Sequence, residues 1–258
     1  MNGYDKMKFL GVIPARYAST RFPGKPLVDI AGKMMIQRVY ERAARGMEHL
    51  WVATDDARIE QAVKGFGGRV VLTSETCPSG TDRCMEAADK LIAEAGEGFD
   101  VVINIQGDEP LLHPEILEKL MACFGDGAAD IATMVNPVVH ADDIFNPNEA
   151  KVVFNRNRDA LYFSRSPIPY VMDVKKEEWL KHHRFYKHIG IYAYKIDILR
   201  KITQLPLSSL ERTERLEQNR WLENGFKIKV EITVYESVSV DTPQDIERVM
   251  RLLDQNLF

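Results

Sequence analysis

The sequence has little of what marks secreted, membrane or nucleic-acid-binding proteins. Its 258 residues include only three cysteines, Cys77, Cys84 and Cys123, with no C-x-x-C pair, which favours a reduced, cytoplasmic protein. No apolar run approaches the length that crosses a bilayer, and residues 1–8 are polar, without the apolar stretch of a secretory signal. The net charge of −4 argues against a nucleic-acid partner, although a local basic pocket remains compatible with it. Neither a membrane nor a nucleic acid is therefore expected as a partner.

Short apolar runs alternate with segments of helical period along most of the chain. Strands are predicted at 9–13, 50–53, 69–72 and 100–105, with helices between them, one of them at about 81–93. This alternation predicts a single α/β domain over 1–258, with a three-layer architecture around a mostly parallel central sheet. From about 150 to 194 the pattern changes to strands without long helices, which we interpret as a sheet-edge insertion or small lobe. A helix at about 209–224, a strand at 227–234 and a last helix opened by the capping box Thr242-Pro243-Gln244-Asp245 complete the chain.

A basic loop, residues 14–26, follows the first predicted strand. It carries three cations (Arg16, Arg21 and Lys25), two hydroxyls and one glycine at the carboxyl end of a strand, where open α/β sheets bind ligands. Arginine offers a planar fork to phosphate oxygens and lysine a point charge, so the loop suits a triphosphate. It is not a Walker A loop, because residue 19, where that motif requires its first glycine, is serine, and no Ser or Thr follows Lys25. A solvated surface loop is the alternative.

Two aspartates follow apolar runs at other predicted strand ends. Asp108 lies in Gln106-Gly107-Asp108-Glu109-Pro110, directly after the most apolar strand, and Asp241 follows the run at 238–240. Two carboxylates together with substrate oxygens are what Mg²⁺ usually takes from a protein. Considered singly, a turn aspartate at 108 and a helix cap at 241 are equally good explanations.

Weaker signals occur in three other places. Ser79-Gly80-Thr81-Asp82-Arg83 opens a helix with small residues that could approach a base or phosphate, although ordinary capping explains them as well. Arg165 could pair with a substrate carboxylate, and His188 and Gln218 could bind hydroxyls. A structural histidine and a solvated helix face are the alternatives for the last two.

Taken together, these segments closely resemble the 3-deoxy-manno-octulosonate cytidylyltransferase (CMP-Kdo synthetase) family. The resemblance extends over almost the whole chain, and it is carried by Ile13-Pro14-Ala15-Arg16-Tyr17, Arg21-Phe22-Pro23-Gly24-Lys25-Pro26-Leu27, Val52-Ala53-Thr54-Asp55, Ser79-Gly80-Thr81-Asp82-Arg83, Gln106-Gly107-Asp108-Glu109-Pro110, Tyr162-Phe163-Ser164-Arg165, His188-Ile189-Gly190-Ile191-Tyr192, Leu216-Glu217-Gln218 and Val240-Asp241-Thr242-Pro243.

The resemblance implies a fold of the nucleotide-diphospho-sugar transferase type, a homodimer, and transfer of CMP from CTP to the sugar acid Kdo for lipopolysaccharide biosynthesis. It implies Mg²⁺ as the cofactor, held by Asp108 and Asp241, with Arg16 and Lys25 as further catalytic residues. The implied CTP-binding residues are Pro14, Ala15, Arg16, Ser19, Lys25, Thr54, Ser79, Gly80, Arg83 and Asp108. Those implied for the sugar acid are Gln106, Arg165, His188, Tyr192, Glu217 and Gln218.

Three positions, Phe22, Asp82 and Asn219, depart from the commonest family pattern. The first two resemble a sub-branch that acts on the 8-amino analogue of the sugar, so both sugars are kept as candidate substrates. A glycosyltransferase is a different class of candidate, but such enzymes usually carry an Asp-x-Asp metal motif, which this sequence lacks. A cytidylyltransferase for another acid, such as a sialic acid, and an inactive nucleotide-binding module are the remaining alternatives.

Overall fold

A computed structural model of the chain describes residue 4 and residues 6–18, 22–96 and 98–255. Within these ranges the strands are β1 (Phe9–Ala15), β2 (Asp29–Ile30), β3 (Lys33–Met34), β4 (His49–Thr54), β5 (Val70–Leu72), β6 (Val101–Asn104), β7 (Ile131–Pro137), β8 (Lys151–Phe154), β9 (Ala160–Ser164), β10 (Tyr186–Lys195) and β11 (Ile228–Ile232). The helices are α1 (Met35–Ala43), α2 (Ala57–Gly65), α3 (Gly80–Ala95), α4 (Pro114–Ala122), α5 (Ala141–Phe145), α6 (Trp179–His182), α7 (Ile196–Ile202), α8 (Ser209–Glu214), α9 (Glu217–Glu223) and α10 (Pro243–Asp254).

The central sheet has the order β11-β7-β10-β6-β1-β4-β5, and β8 and β9 extend it from β10. Strand β1 pairs in parallel with β4 and β6, and the pairs β4–β5 and β7–β11 are also parallel. Only β10 runs antiparallel to its neighbours β6 and β7 within this order. The predicted α/β class with a mostly parallel central sheet is confirmed.

Helices cover both faces of the sheet because the central strands are apolar on both sides. In β1, Ile13 packs in a core with residues of α1, α2 and α4, whereas the neighbouring Val12 packs in a second core with residues of α3, α7 and α9. The two faces follow from the alternation of side chains along a strand. No helix within the described ranges is long and apolar enough to cross a membrane.

The segment at 150–194 differs from its prediction. Strands β8 and β9 form an antiparallel hairpin beside the main sheet, as expected of an insertion at an edge. Strand β10, however, lies inside the sheet between β6 and β7. An antiparallel strand needs no crossover helix, so the sequence rhythm gave no sign that this strand belongs to the core.

The predicted helix at 209–224 is wrong as a single element, because it is two helices. Arg215 takes a left-handed conformation with φ of 52°, which ends α8, and α9 begins at Glu217 after the extended Leu216. The break makes Glu217 the first residue of a new helix. By contrast, α10 has the predicted capping box between Thr242 and Asp245, with Pro243 in its first turn.

Candidate active site

The carboxyl ends of β1, β4 and β6 meet at one edge of the sheet. In the parallel register Ala15 lies beside Thr54 and Val12 beside Asn104, so the loops that follow the three strands are neighbours. Gly107 shows how closely they approach, since a Cβ at this position would lie 2.9 Å from the main-chain oxygen of Pro14. Only glycine leaves room for this approach.

Lys25 joins the two aspartates that were predicted to follow strands, although residues 233–241 form no strand, so the prediction is wrong for Asp241. Its Nζ lies 2.7 Å from Asp108 Oδ2 and 3.8 Å from Asp241 Oδ1, and it donates to the Val240 carbonyl at 2.8 Å. The Val240 amide in turn donates to the Asp108 carbonyl at 2.9 Å. The fold therefore brings a carboxylate from the middle of the chain and one from near its end to a single ammonium group.

This arrangement suits a divalent cation that is shared with a substrate. Among the described residues, no group of three or more metal-ligating side chains exists. Mg²⁺ needs no such group, because one or two carboxylates together with phosphate oxygens and waters complete its shell. The side chains of Asp108 and Asp241 are 27% and 42% exposed, so a polar ligand can reach both. Thr242 and Asp245 form the cap of α10, so Asp241 is not the capping residue.

A cavity of about 170 Å³ lies beside this cluster, lined by Pro14, Ala15, Arg16, Ala18, Lys25, Pro26, Met35, Gln106, Gly107 and Asp108. The guanidinium of Arg16 donates to the main-chain oxygen of Cys77, which ties this wall to the segment before α3. Ser79 caps α3, and a Cβ on Gly80 would lie 3.5 Å from Pro14 Cγ. The predicted nucleotide residues near 14–16 and 79–80 thus adjoin one another. Ser19 lies outside the described residues.

Two other residues predicted to bind CTP, Thr54 and Arg83, are buried inside the protein. Thr54 is fully buried, and its Oγ1 accepts from the amide of Asp56 at 3.2 Å. Arg83 is also fully buried, and its guanidinium donates to Thr73 and to Asp55 Oδ2, the latter at 2.6 Å. Neither lines the smaller cavity, and Arg83 instead joins α3 to the segments that follow β4 and β5.

A second cavity, of about 320 Å³, contains the predicted sugar residues Arg165 and His188. It is lined by Glu109, Asn136, Asn148, Glu149, Ala150, Arg165, Lys187, His188, Ile189, Gly190, Leu216, Glu236, Ser237 and Ser239. Gln106 connects the two cavities: it lines the smaller one, and its Nε2 donates at 2.9 Å to the carbonyl of Gly190 in the larger.

His188 is held as a neutral imidazole. Its ring packs between those of Phe163 and Tyr192, with both centroids 5.2 Å away, and its Nε2 lies 3.0 Å from Thr133 Oγ1. The Thr133 hydroxyl has two carbonyl acceptors, Ile191 at 2.7 Å and Ile189 at 3.2 Å, so we assign its proton to them, which places the histidine proton on Nε2 and makes Nδ1 an acceptor. Burial of the ring lowers the pKa of His188 to about 3.

Arg165 donates to three main-chain carbonyls: from Nε to Glu214 at 2.6 Å, from Nη1 to Pro147 at 2.8 Å and from Nη2 to Arg215 at 3.3 Å. These acceptors are neutral carbonyls, so the hydrogen bonds orient the guanidinium, whose positive charge interacts with the nearby Glu214 carboxylate. Sequence reasoning missed Glu214, whose carboxylate accepts from Ser164 Oγ, the Arg165 amide and the Tyr162 hydroxyl. These hydrogen bonds fasten the Tyr162-Phe163-Ser164-Arg165 motif to the break between α8 and α9.

The remaining predicted sugar residues, Tyr192 in β10 and Glu217 and Gln218 at the start of α9, do not line the larger cavity. Glu217 accepts from Thr81 Oγ1 at 2.8 Å and from Arg220 Nη2 at 2.9 Å, and burial raises its pKa. The Tyr192 hydroxyl and the Gln218 Nε2 are both buried, and each is without a hydrogen-bond partner in the described part of the chain. Buried donors in this state are satisfied by water or by a bound polar ligand.

Glu109 lies within the motif at 106–110, but the sequence indicated no role for it. It is buried and lines the larger cavity directly after Asp108. Burial raises its pKa to about 7, and the neighbouring negative charge of Asp108 adds to this effect. Its place beside Asp108 was the available signal, but only the structure shows which cavity the side chain lines.

The chain is similar to known cytidylyltransferases. The family model described as "Cytidylyltransferase" matches residues 10–230. A 3-deoxy-manno-octulosonate cytidylyltransferase of Parabacteroides distasonis is 58% identical over 251 residues, 96% of this chain and 98% of the relative. One of Bacteroides thetaiotaomicron is 57% identical over 251 residues, again 96% and 98% of the two chains.

Solved structures show the same architecture. A CMP:2-keto-3-deoxy-manno-octonic acid synthetase in complex with CTP superposes with a TM-score of 0.87 at 43% identity, covering 96% of this chain and 99% of that one. A cytidylyltransferase of Leptospira borgpetersenii has a TM-score of 0.63 at 18% identity, covering 96% and 87%, which is a similarity of fold alone.

Proposed function

The chain belongs to the 3-deoxy-manno-octulosonate cytidylyltransferase family, and we infer that it transfers CMP from CTP to the anomeric hydroxyl of Kdo, releasing pyrophosphate. The observation that carries this inference is the 58% identity to a named Kdo cytidylyltransferase across nearly the full length of both chains. The cluster of Lys25, Asp108 and Asp241 beside a small cavity supports the same reaction, because it places charged groups where a triphosphate can be held.

We propose that CTP occupies the smaller cavity, with its phosphates against Arg16 and Lys25 and its cytosine near Ala15, Ser79 and Gly80. Two observations support this placement: both cations line that cavity, and the N-terminus of α3 adjoins Pro14. Arginine and lysine offset the charge of phosphate oxygens, and the close main-chain wall favours a single pyrimidine ring over a purine.

Asp108 and Asp241 would hold Mg²⁺, since their carboxylates already converge on one cation, the ammonium of Lys25. When bound, the ion would supply neutralisation of triphosphate charge. Lys25 would then be free to turn from the carboxylates towards the phosphates.

The sugar acid is proposed to lie in the larger cavity, with its carboxylate at Arg165 and its hydroxyls within reach of Gln106, His188, Tyr192, Glu217 and Gln218. The charge of Arg165, the free acceptor of His188 and the unpaired donors of Tyr192 and Gln218 support this assignment. The anomeric hydroxyl oxygen attacks the α-phosphorus in line: its bond to phosphorus forms, the bond from phosphorus to the pyrophosphate oxygen breaks, and the hydroxyl proton is released to solvent. Positioning and charge compensation by Arg16 and Lys25 are the chain's main contributions to such a transfer.

We further propose a cytoplasmic homodimer that serves lipopolysaccharide biosynthesis. Support for the dimer comes from three large exposed apolar side chains, Val139, Tyr170 and Met172, which are 63%, 68% and 72% exposed. They adjoin a small core around Trp179, on which the Tyr170 ring packs edge-on at 5.2 Å. Exposed apolar groups of this kind are typical of protein interfaces. Light scattering of the wild type and of a Tyr170→Arg, Met172→Lys variant tests this: the variant is expected to be monomeric.

Pyrophosphate release with CTP tests the reaction against a panel of Kdo, the 8-amino analogue and N-acetylneuraminate. We expect turnover with Kdo and none with N-acetylneuraminate. Turnover with the 8-amino sugar but not with Kdo would move the chain to the other sub-branch. Absence of turnover with all three acids, for a folded protein with Mg²⁺ present, would refute the proposed activity.

A further inference from the structure

Lys151, at the start of β8, is a lysine with no exposed surface. Its Nζ donates to two main-chain carbonyls, those of Asn146 at 2.7 Å and Glu149 at 2.6 Å. Within the described ranges it forms no ion pair with a carboxylate, and burial lowers its pKa. The negative charges of Glu149 and Glu214 oppose part of this shift, but neither carboxylate forms an ion pair with Nζ. Burying an ammonium with no carboxylate in direct contact is costly, and an apolar side chain of similar volume would usually be more stable. The position therefore calls for an explanation other than stability.

The two carbonyls belong to a short loop, Asn146–Glu149, that leads into β8. Arg165 reaches the same loop from β9, because its Nη1 donates to the carbonyl of Pro147 at 2.8 Å. Two cations thus hold three of four consecutive carbonyls. Lys151 donates its hydrogen bonds from inside the protein, whereas Arg165 donates from the wall of the larger cavity.

The same loop lines the cavity assigned to the sugar acid. Asn148 and Glu149 contribute to its wall, as does Ala150, whose carbonyl accepts from the His188 amide at 2.8 Å. Any shift of the loop would therefore change the distance across the cavity between the loop and the side chains of Arg165 and His188. The smaller cavity at Lys25 shares none of these loop residues.

We propose that Lys151 is a positioning residue for the sugar-acid site, which fixes the Asn146–Glu149 loop against Arg165 without touching the substrate. This inference rests on the proposed function, since it concerns the cavity assigned there to Kdo. A displacement of about 1 Å at a substrate-positioning group can cost about 10²-fold, and a loop fixed in advance spares the ligand the cost of ordering it.

The test compares Lys151→Met, which keeps the volume and removes the donors and charge, with Lys195→Met. Lys195 is the control, because its Nζ also donates to a main-chain carbonyl, that of Gly127 at 2.9 Å, and it lies at the end of β10 away from Lys187, which pairs with Lys151. Unlike Lys151, it is partly exposed, and its Nζ lies 3.6 Å from Asp130 Oδ1. We expect Lys151→Met to raise the KM for Kdo by roughly tenfold or more, with the KM for CTP and kcat within about threefold of the wild type. The control should leave all three unchanged.

A second measurement separates positioning from general loss of stability. In hydrogen–deuterium exchange, the amides of 146–150 should exchange faster in Lys151→Met, whereas those of β1 and β6 should be unchanged. An unchanged KM for Kdo in the folded variant would overturn the proposal, as would a lower melting temperature with equal loss on both substrates. If Lys151→Met does not fold, Lys151→Arg takes its place: its longer side chain shifts the loop but keeps the charge. A selective rise in the KM for Kdo then supports the proposal, and an unchanged KM overturns it. Failure of the wild type to use Kdo would refute the proposed function instead.

Discussion

Replacing Asp241 with asparagine separates a catalytic role of this carboxylate from a structural one. The substitution keeps the shape of the side chain and removes one negative charge 3.8 Å from Lys25 Nζ. The main chain at this position should not move, because the Asp241 amide is held by Asp245 Oδ2 at 2.9 Å, as part of the cap of α10.

The expected effect on stability is small. Two unit charges about 4 Å apart attract by about 4 kcal/mol at an effective dielectric constant near 20, and by about 1 kcal/mol in water. Asp241 is 42% exposed, so solvent screening brings the loss down to about 0–1 kcal/mol. For a chain of this size that corresponds to a shift in melting temperature of at most about 2–4 °C.

The expected effect on turnover is much larger. If Asp241 and Asp108 together hold Mg²⁺ against the triphosphate, the variant loses one preorganised charge at the reacting group. Removal of such a group typically costs about 10²–10³ in rate. Part of the loss should be recovered at high Mg²⁺, because the weakened site can still be filled by mass action.

The assay is pyrophosphate release across a Mg²⁺ titration, together with thermal unfolding of the same samples. Asp197→Asn is the matched control, since Asp197 also lies 3.8 Å from a lysine, Lys201, but on the exposed surface of α7. Near-normal turnover of Asp241→Asn at low Mg²⁺ would show that Asp241 does not hold the metal. A large loss of stability with normal turnover per folded molecule would instead make it a structural residue.

Three further predictions concern other parts of the site. CTP should be used well and ATP or GTP hardly at all, and equal turnover with ATP would mean that the base site is wrongly placed. Arg165→Ala should weaken binding of the sugar acid by about 2–5 kcal/mol and leave CTP binding nearly unchanged, as measured by calorimetry. Because the pKa of His188 is about 3 in the folded state and near 6.5 when unfolded, only the unfolded state takes up this proton between those values. The contribution of His188 to the free energy of unfolding is therefore fully present above pH 6.5. Towards pH 3 the free energy of unfolding should fall by up to about 1.4 kcal/mol per pH unit, and His188→Gln should reduce this slope in denaturant titrations.

The sequence by itself was enough to predict the fold class, the strands β1, β4, β5 and β6, and the capping box of α10. The apolar run at 101–105 and the capping box at Thr242 are local patterns, and their meaning depends on neighbours in the sequence. The strand predicted before Asp241 is wrong, because β11 ends at Ile232 and residues 233–241 form no strand or helix. The family resemblance then gave the reaction, which the comparisons confirmed.

Tertiary structure alone decided which of these residues meet, and what each side chain holds. The family resemblance implied Arg83 as a CTP-binding residue, and the structure shows it buried against Asp55. Glu214 and Lys151 gave no signal in the sequence, although each holds residues at the wall of the larger cavity by hydrogen bonds. The sequence also gave no sign of the helix break at Arg215, because the residue in the left-handed conformation is not a glycine. Burial and hydrogen-bond partners depend on residues far away along the chain, whereas periodicity and capping depend only on residues nearby.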